Sequence, residues 1–433
     1  MTNSKDYQKN ILIVGGGFAG ISCVKGLADC PATVTLIDQR NYHLFQPLLY
    51  QVATAVLSPA DISSPIRHML RNQKNVRVGL GRLTGVNLQQ KFAQFPKIKA
   101  HYDYLVLATG ARDFYFGNEG WTHLAPGLKT IDDALEIRRR VLLAYEEAEW
   151  EADEESRRAK LTFVVVGGGP TGVEMAGALK EIAAQTIPKD FRHIDTTTAR
   201  VILVEGSDQL LGGMPKKLGD RARKDLEAMG VEVRLNSLVT DLKSGIVSIG
   251  AEDLPAENII WAAGVKASLV GETLNTALDP AGRVRVTPDL TIPGHPDVFV
   301  IGDLAYVEDS QTGKSVPGVA PAAIQMGQYV AKVIRQEIEN HESATNRTAY
   351  TYQDKGTMAT IGRNKAVAEI RGHSFYGFFA WLLWCIVHLI PLVDYRSRLS
   401  VIFSWVGSYF SFAKNARLIT GNPEVKVKKL RRD

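Results

Sequence analysis

The chain has 433 residues, of which 45% are hydrophobic and 22% charged, as is typical of a globular protein of two or three domains. Its three cysteines, Cys23, Cys30 and Cys385, are too few and too scattered for a disulfide framework or a zinc site, so no metal is predicted. The net charge of +5 equals that of the stretch from Lys414 to the end, with seven basic and two acidic residues. Because this stretch follows an apolar region, it favours an anionic membrane surface as partner and not a nucleic acid. The polar first ten residues have no leader pattern, so we expect the chain to start in the cytosol.

An apolar run and a glycine pattern open the chain at residues 11–20, ILIVGGGFAG. The pattern G-x-G-x-x-G consists of Gly15, Gly17 and Gly20. It predicts a buried parallel strand, a tight turn and a helix whose N-terminus binds a pyrophosphate. The next strand, residues 34–38, ends at Asp38, 23 residues after the first glycine. This carboxylate can accept hydrogen bonds from the ribose hydroxyls of an adenosine.

The same pattern returns at residues 163–172, FVVVGGGPTG, after a charge-dense stretch at 131–160 that predicts one long solvated helix. Its glycines are Gly167, Gly169 and Gly172. The following strand, VILVEG, places Glu205 in the acidic position, and residues 181–200 before it are interpreted as an insertion. Two such patterns on one chain predict two bound dinucleotides and electron transfer between them.

Two later strands complete the predicted fold. ENIIWAAGV at 257–265 closes the second unit, and DVFVIGDLA at 297–305 returns to the first, so the second domain is predicted to be inserted into the first. The fold class is therefore α/β, with two Rossmann-type domains and a C-terminal α+β region that associates with a membrane. The predicted limits are 1–120 with 285–345 for the first domain, 121–284 for the second, and 346–433 for the C-terminal region.

The C-terminal region contains two runs without Asp, Glu, Lys or Arg, at 375–393 and 399–412. Nineteen residues are just enough to cross a bilayer. However, His388, Pro391 and the charged residues between the two runs favour helices that lie at the membrane interface. A spanning helix, a soluble core and a dimer interface are the alternatives. The tryptophans expected at headgroup depth are Trp381, Trp384 and Trp405.

Several segments together resemble the type II NADH:quinone oxidoreductases. They are the two glycine patterns with NYHLFQPLLYQVAT and VEMAGAL, then DVFVIGDLA, APAAIQMGQYVA, GTMATIGRNKAVA and the aromatic C-terminus. The resemblance covers nearly the whole chain in the family's order. It implies a monotopic flavoprotein with non-covalent FAD in the first unit, NADH as substrate in the second, and a quinone as acceptor, without proton pumping. It also implies a homodimer on the cytoplasmic side of the cell inner membrane, in a respiratory chain.

The resemblance also implies which residues bind the two dinucleotides. FAD contacts are expected from Gly15, Gly17, Phe18, Ala19, Gly20, Asp38, Gln39, Arg40, Leu83, Thr109, Gly110, Asp303, Ala320 and Pro321. NADH contacts are expected from Gly167, Gly169, Pro170, Thr171, Gly172, Glu205, Ala263 and Gly264. Leu83 and Ala320 fit simple core positions equally well. Because Glu205 would accept from a 2′-hydroxyl and repel a 2′-phosphate, NADH is predicted to be preferred over NADPH.

Three residues are candidates for catalysis by the same resemblance. Glu174, in the first turn of a helix, would reach toward the nicotinamide, with a positioning or proton-relay role; the alternative is a capping acid that the helix dipole stabilises as an anion. Gln325 would line the quinone tunnel. Pro321 stands where many members have a glutamine, so the identity of the quinone stays open. Lys365 matches a lysine near the flavin and quinone, or is a solvated loop cation.

Other enzyme classes share the double glycine pattern. Disulfide reductases and sulfide:quinone reductases need a pair of redox cysteines, which this chain does not supply. Two alternatives stay open: a related reductase of a specialised quinone of the phylloquinone or plastoquinone type, and a non-catalytic membrane sensor that binds FAD and NADH. Tyr50 and Gln51 are weaker candidates for the quinone cavity.

Overall fold

A computed structural model describes residues 9–340, 343–392, 395–411 and 416–420. The chain clusters into two compact units. Unit 1 contains the residues up to Leu44, Ser63–Arg112 and Val265–Lys355, and unit 2 contains Phe45–Ile62, Asp113–Gly264 and the residues from Gly356 onward. The C-terminal residues therefore cluster with the second glycine pattern. The domain limits drawn from the sequence stay a prediction.

The helices and strands of the described residues are as follows. The α-helices are α1 Phe18–Gly26, α2 Leu49–Ala53, α3 Ile66–Met69, α4 Ile131–Trp150, α5 Glu154–Lys160, α6 Pro170–Glu181, α7 Lys216–Ala228, α8 Ala320–Glu339, α9 Phe378–Leu389 and α10 Tyr395–Ser411. Strands β1 to β13 are Lys9–Val14, Ala32–Asp38, Tyr42–Leu44, Ser63–Pro65, Val76–Leu80, Gly85–Asn87, Phe92–Gln94, Lys99–His101, Tyr104–Leu107, Ala111–Asp113, Thr162–Val166, Arg200–Val204 and Val231–Arg234. Strands β14 to β25 are Val239–Lys243, Ile246–Ile249, Glu252–Pro255, Asn258–Trp261, Val265–Ala267, Val284–Arg285, Thr291–Ile292, His295–Val300, Ala305–Tyr306, Thr357–Gly362, Lys365–Ile370 and His373–Tyr376.

Unit 1 is built on a six-stranded sheet in the order β20-β21-β9-β1-β2-β5. All neighbours pair in parallel except β20 and β21. The last four residues of β1 are buried, as expected for a central parallel strand that is covered on both faces. The late strand β21 pairs with β9, Val298 opposite Leu105. The predicted return of the chain to the first sheet is therefore confirmed.

Unit 2 is built on a four-stranded parallel sheet in the order β13-β12-β11-β17, in which all five residues of β11 are buried. Helix α6 follows β11 and also packs against the antiparallel sheet β23-β24-β25. At Gly177 a Cβ atom would lie 1.8 Å from the carbonyl oxygen of Ile361, so only glycine allows α6 to come this close to β23. This contact brings the side chains on one face of α6 next to the β23–β24 hairpin.

The single solvated helix predicted for residues 131–160 is wrong in two respects. The segment forms α4 and α5, separated by residues 151–153, because Asp153 caps a new helix by accepting a hydrogen bond from the Ser156 N–H. In addition, α4 buries one side, which includes Ile137, Val141 and Tyr145. A high density of charges concealed an apolar stripe at helical spacing.

The two apolar C-terminal runs form α9 and α10, as predicted. Both helices have large exposed apolar side chains. The most exposed are Phe379, Tyr395, Phe403 and Phe410, at 70–79% of their full surface. Among the described residues, no helix combines the length and the apolar character that a bilayer crossing requires.

Candidate functional site

The first glycine loop of unit 1 lies between β1 and α1. Gly15 has a φ of +109°, and a Cβ atom there would lie 2.2 Å from the Ala108 carbonyl oxygen. At Gly20 a Cβ atom would lie 1.8 Å from the Gly15 carbonyl oxygen. By contrast, a Cβ atom at Gly17, the N-cap of α1, would meet nothing within 4 Å. The loop is therefore tight against its own sheet and open on the side where a pyrophosphate would approach the helix N-terminus.

Asp38 at the end of β2 holds this loop in place. Its two carboxylate oxygens accept hydrogen bonds from the Gly16 N–H at 2.5 Å and from the Arg40 N–H at 2.6 Å. The Gly16 carbonyl in turn accepts from Nδ1 of His43 at 2.9 Å. Burial lowers the pKa of His43, which favours the neutral ring with its proton on Nδ1. The backbone of Gly16 is thus fixed at its N–H and at its carbonyl group, and the residues present fit an adenine dinucleotide.

Further predicted FAD residues lie at the same edge of this sheet. Thr109 and Gly110 follow β9, and Asp303 follows β21, so they share the carboxyl end of the parallel strands with the first glycine loop. The Thr109 hydroxyl forms a 2.5 Å hydrogen bond with the Ser268 hydroxyl. Leu83 is buried in the core of unit 1, and Ala320 is the first residue of α8. Their contacts with FAD stay a prediction.

The second glycine loop, in unit 2, repeats the geometry of the first. Gly167 also has a φ of +109°, and a Cβ atom there would lie 2.6 Å from the Ala262 carbonyl group. A Cβ atom at Gly172 would lie 1.8 Å from the Gly167 carbonyl oxygen, and one at Gly169, the N-cap of α6, would meet nothing within 4 Å. Pro170 begins α6, and Ala263 and Gly264 follow β17 at the same sheet edge. The loop fits a second dinucleotide.

Glu205, which follows β12, has the same role in this loop as Asp38 has in the first. One carboxylate oxygen accepts from the Gly168 N–H at 2.5 Å, and the other accepts from the N–H and the hydroxyl of Ser207, both at 2.8 Å. The Gly168 carbonyl accepts from the Leu211 N–H at 2.8 Å. These bonds hold the carboxylate beside the open loop, where the ribose of a dinucleotide would lie.

A cavity of about 120 Å³ lies within unit 2. Its walls come from five separate segments, namely α2, α6 with the turn that follows it, the β23–β24 hairpin, α9 and α10. A cavity of this size is comparable to one that holds a single aromatic ring. Most of the exposed area of its walls is apolar, but about half of its lining residues have polar side chains, among them Tyr50, Gln51, Glu174, Glu181 and Arg363.

Glu174 is the buried acid of this cavity, with 9% of its surface exposed. One carboxyl oxygen accepts a long hydrogen bond, 3.3 Å, from the Thr360 N–H. Burial raises the pKa of Glu174 to about 8, and the Thr360 N–H and the Trp384 side chain offset only part of this increase. The carboxyl group is therefore largely protonated at neutral pH. The placement of Glu174 in the first turn is wrong, because it is the fifth residue of α6. The alternative of a capping acid stabilised as an anion fails for this reason and because burial outweighs the helix dipole.

A hydrogen-bond chain crosses one wall of the cavity. Trp405 donates from Nε1 to the amide oxygen of Gln51 at 2.7 Å, and Gln51 donates from its amide nitrogen to the Tyr50 hydroxyl at 2.9 Å. Burial, with a further contribution from the charge of Glu174, raises the pKa of Tyr50, which stays a neutral phenol. The chain links α10 to the interior of the cavity.

Three more contacts attach α10 to the rest of unit 2. The Ser400 hydroxyl donates to Asp61 at 2.6 Å, and the Arg363 guanidinium donates to the Ser408 carbonyl at 2.5 Å. Arg363 also lies over the Tyr409 ring, at 5.0 Å from its centre, and its backbone N–H donates to Glu181 at 2.7 Å. Together with Trp405, these side chains make α10 a fixed wall of the cavity.

Comparisons with known proteins support the interpretation of both glycine loops as dinucleotide-binding loops. Residues 9–327 match the family model described as pyridine nucleotide-disulphide oxidoreductase, and residues 355–411 match the NDH2 C-terminal domain. The type II NADH:quinone oxidoreductases Ndh and NdhA of Mycobacterium tuberculosis are 43% and 44% identical to the chain, over 95% of it and 90% of each relative. The chain belongs to the type II NADH:quinone oxidoreductases. The NDH2 structure from Plasmodium falciparum in complex with NADH has a TM-score of 0.87 at 21% identity, covering 96% of this chain and 100% of that one, which supports the same fold.

Family membership confirms the resemblance found in the sequence, and it favours an enzyme over a non-catalytic sensor. Of the candidate catalytic residues of this oxidoreductase, Glu174 lies in the cavity of unit 2. Gln325 lies on α8 in unit 1, where its amide donates to the Gln353 carbonyl at 3.0 Å and accepts from the Gln353 N–H at 2.9 Å. These two bonds leave the Gln325 amide one further N–H and one further oxygen lone pair for a ligand. Lys365 begins β24, half-buried and paired with Gly362. The catalytic roles of all three stay predictions.

One prediction about the C-terminal aromatic residues of the oxidoreductase needs correction. Trp384, expected at headgroup depth, is 2% exposed and lines the cavity, and Trp381 and Trp405 line it as well. The spacing could have indicated this, because Trp381, Trp384, Cys385 and His388 fall on one face of a helix. Charge-free composition alone does not distinguish the face that packs inward from the exposed face.

Proposed function

We propose that the protein transfers two electrons from NADH to a membrane quinone through non-covalently bound FAD, without pumping protons. FAD binds at the loop of Gly17 and Asp38, and NADH binds at the loop of Gly169 and Glu205. The observation that carries this proposal is the pair of matching loops, each tight against its sheet, open at a helix N-terminus and held by an acid. Family membership identifies the acceptor class as a quinone.

At the NADH loop the protein supplies binding and orientation. The N-terminus of α6 offers backbone N–H groups to the pyrophosphate, and Glu205 accepts from the ribose hydroxyls. Ser207, which donates twice to Glu205, keeps the carboxylate in position before NADH arrives. When bound, FAD takes up two electrons from NADH as a hydride and passes them to the quinone.

The cavity of unit 2 is the proposed site of the quinone headgroup. Its volume of about 120 Å³ suits one ring, and its walls combine aromatic side chains with polar groups, as a small-molecule site requires. Glu174, protonated at neutral pH, supplies a proton to the quinone and recovers one from water. Quinone contacts of Gln325, Lys365 and Pro321 stay predictions.

The proposed reaction can be followed on the flavin itself. We expect the purified protein to be yellow, to lose its visible absorption when NADH is added without oxygen, and to recover it when menadione or ubiquinone-1 follows. Bleaching without recovery by any quinone would contradict the quinone step and support a sensor or another acceptor. A colourless protein that takes up no flavin would contradict the whole proposal.

The exposed apolar faces of α9 and α10 are the proposed membrane contact, on the cytoplasmic side of the inner membrane. Large apolar side chains on both helices lie at the surface, Phe379, Phe403 and Phe410 most of all. Such a surface is typical of helices that lie in the plane of a membrane. Of the basic residues predicted to bind anionic lipid, Arg417 is described, and its guanidinium donates a hydrogen bond to Asp190. The others lie outside the described residues. The homodimer stays a prediction.

The membrane contact predicts a loss of vesicle binding when the exposed aromatic residues become polar. In the triple variant Phe379→Ser, Phe403→Ser, Phe410→Ser, the partition coefficient onto phosphatidylglycerol-containing vesicles should fall at least about tenfold, because each buried Phe contributes about 1.5–3 kcal/mol. Vesicle flotation measures the partition, and ferricyanide reduction by NADH should persist. The control variant Leu80→Ser, Ile98→Ser changes exposed apolar residues of unit 1 and should bind vesicles normally. If the wild type, the triple variant and the control variant bound vesicles equally, the proposed membrane contact would be wrong.

A further inference from the structure

The side chain of Trp384 contains a buried donor that the fold does not use. Only 2% of the residue is exposed, and among the described residues its Nε1 atom has no hydrogen-bond partner. Buried polar atoms in native proteins almost always have a partner, so an unsatisfied one requires an explanation. Because Trp384 lines the cavity of unit 2, a molecule in that cavity can provide the missing acceptor.

The indole is held rigidly in this position. Its ring stacks on His388, with the ring centres 4.3 Å apart and the planes at 25°, and Trp405 packs at 5.5 Å. His388 donates from Nδ1 to the backbone carbonyl of Trp384 at 2.8 Å. Burial lowers the pKa of His388 to about 4, so this ring stays neutral at physiological pH. The direction of the indole N–H is therefore set by packing before any ligand enters.

The carboxyl group of Glu174 interacts with this donor. A weak hydrogen-bonding interaction with the Trp384 side chain lowers the pKa of Glu174, but the indole N–H falls short of the geometry of a full hydrogen bond. Both residues line the same cavity. Two groups that can donate, an indole N–H and a carboxylic O–H, thus lie in the wall of a space the size of one ring.

We propose that the indole N–H of Trp384 and the carboxyl group of Glu174 bind the same carbonyl oxygen of the quinone headgroup. This assignment rests on the proposed function, in which the cavity receives the quinone. The carbonyl oxygens are the hydrogen-bond acceptors that all quinones share. An N–H that cannot ionise orients this oxygen, and the acid beside it delivers the proton.

The number of protons that the reaction consumes agrees with these separate roles of Trp384 and Glu174. Reduction of a quinone to a quinol consumes two electrons and two protons. The hydride that leaves NADH contains both electrons and one proton, and the second proton comes from Glu174, which is then reprotonated by water. Negative charge that develops on the oxygen during reduction strengthens the hydrogen bond from Trp384. Trp384 therefore contributes to both the binding and the reduction of the quinone.

The test is Trp384→Phe in the full-length, flavin-loaded enzyme. This change removes the N–H and keeps an aromatic ring against His388. We expect KM for menadione to rise about 3- to 10-fold, the range for the loss of one hydrogen bond, and the affinity of the oxidised enzyme for menadione, measured by calorimetry, to fall by the same factor. Flavin content and ferricyanide reduction by NADH should not change. Trp150→Phe, at an exposed tryptophan on α4, is the matched control.

A second variant removes the concern that the phenyl ring packs poorly. Incorporation of benzothienylalanine at position 384 replaces the N–H by sulfur in a ring of nearly the same shape, and it should reproduce the change in KM and affinity. Unchanged quinone KM and affinity in this variant, with normal flavin reduction, would overturn the assignment of Trp384 while leaving the proposed function intact. A wild-type enzyme that reduces ferricyanide but no quinone would instead refute the proposed function.

Discussion

Replacement of Glu205 by alanine should lower kcat/KM for NADH about 10- to 100-fold, the largest effect expected from a single change in the nucleotide loop. The carboxylate has two functions: it accepts from the Gly168 N–H at 2.5 Å, and it faces the expected ribose position. Hydrogen bonds to a charged group contribute about 1.5–3 kcal/mol each, and every 1.4 kcal/mol corresponds to a factor of ten. Steady-state assays with saturating menadione measure the change.

The same carboxylate should also set the preference for NADH over NADPH. A 2′-phosphate would bring negative charge next to Glu205, whose oxygens are held in place by Gly168 and Ser207. The alanine variant should therefore lose NADH activity while its NADPH activity stays the same or rises. Asp208→Ala removes an equal charge from an exposed neighbouring side chain. This control variant should change neither the NADH activity nor the NADPH activity. A wild-type enzyme that uses both nucleotides with equal kcat/KM would contradict the role of Glu205.

Replacement of Glu174 by glutamine should stabilise the protein in alkaline solution and slow quinone reduction. The folded-state pKa of about 8 lies above the ordinary value of 4.5. Between these two values the unfolded chain releases this proton while the folded protein retains it, so stability is lost as pH rises from about 4.5 to 8. At about 1.4 kcal/mol for each pH unit, the loss is at most about 5 kcal/mol. The glutamine variant does not undergo this loss.

Thermal melts at pH 5 and pH 8.5 test this effect. Glu174→Gln should raise Tm relative to wild type at pH 8.5 and not at pH 5, whereas Glu146→Gln, at an exposed acid of α4, should leave Tm unchanged at both. Without a proton to deliver, quinone-dependent kcat should fall about 100-fold, while the bound flavin is still reduced by NADH. Equal kcat for the quinone in variant and wild type would remove Glu174 from the reaction.

The nucleotide loops could be predicted from the sequence because their determinants are local. A glycine such as Gly15 or Gly167, with φ of +109° and a carbonyl group against its α-carbon, is required by the loop itself. The acids Asp38 and Glu205 can be predicted because each lies at the end of the strand that comes next in the sequence after its glycine pattern. Strand, turn, helix and acid lie within about forty residues, so their pattern can be recognised without knowledge of the tertiary structure.

The cavity could not be predicted in the same way. Its walls come from segments between Tyr50 and Tyr409, and the contact of Gln51 with Trp405 joins residues 354 positions apart. The sequence identifies Glu174 as a candidate but cannot show that burial keeps it protonated. The tryptophans of α9 were assigned to the lipid because an apolar helix can bury either face. Only packing distinguishes the two faces.

The three hydrogen bonds that hold α10 go to three different segments, at Asp61, Gln51 and Arg363. None of these segments belongs to the four-stranded parallel sheet of unit 2. A chain that ends before Tyr395 would therefore keep its nucleotide loops but lose one side of the ring-sized space. Water would then reach Glu174 and shift its proton affinity toward that of an ordinary glutamate. Truncations made to improve solubility would thus yield a protein that still oxidises NADH, but the proton affinity of Glu174 at its proposed quinone site would be altered.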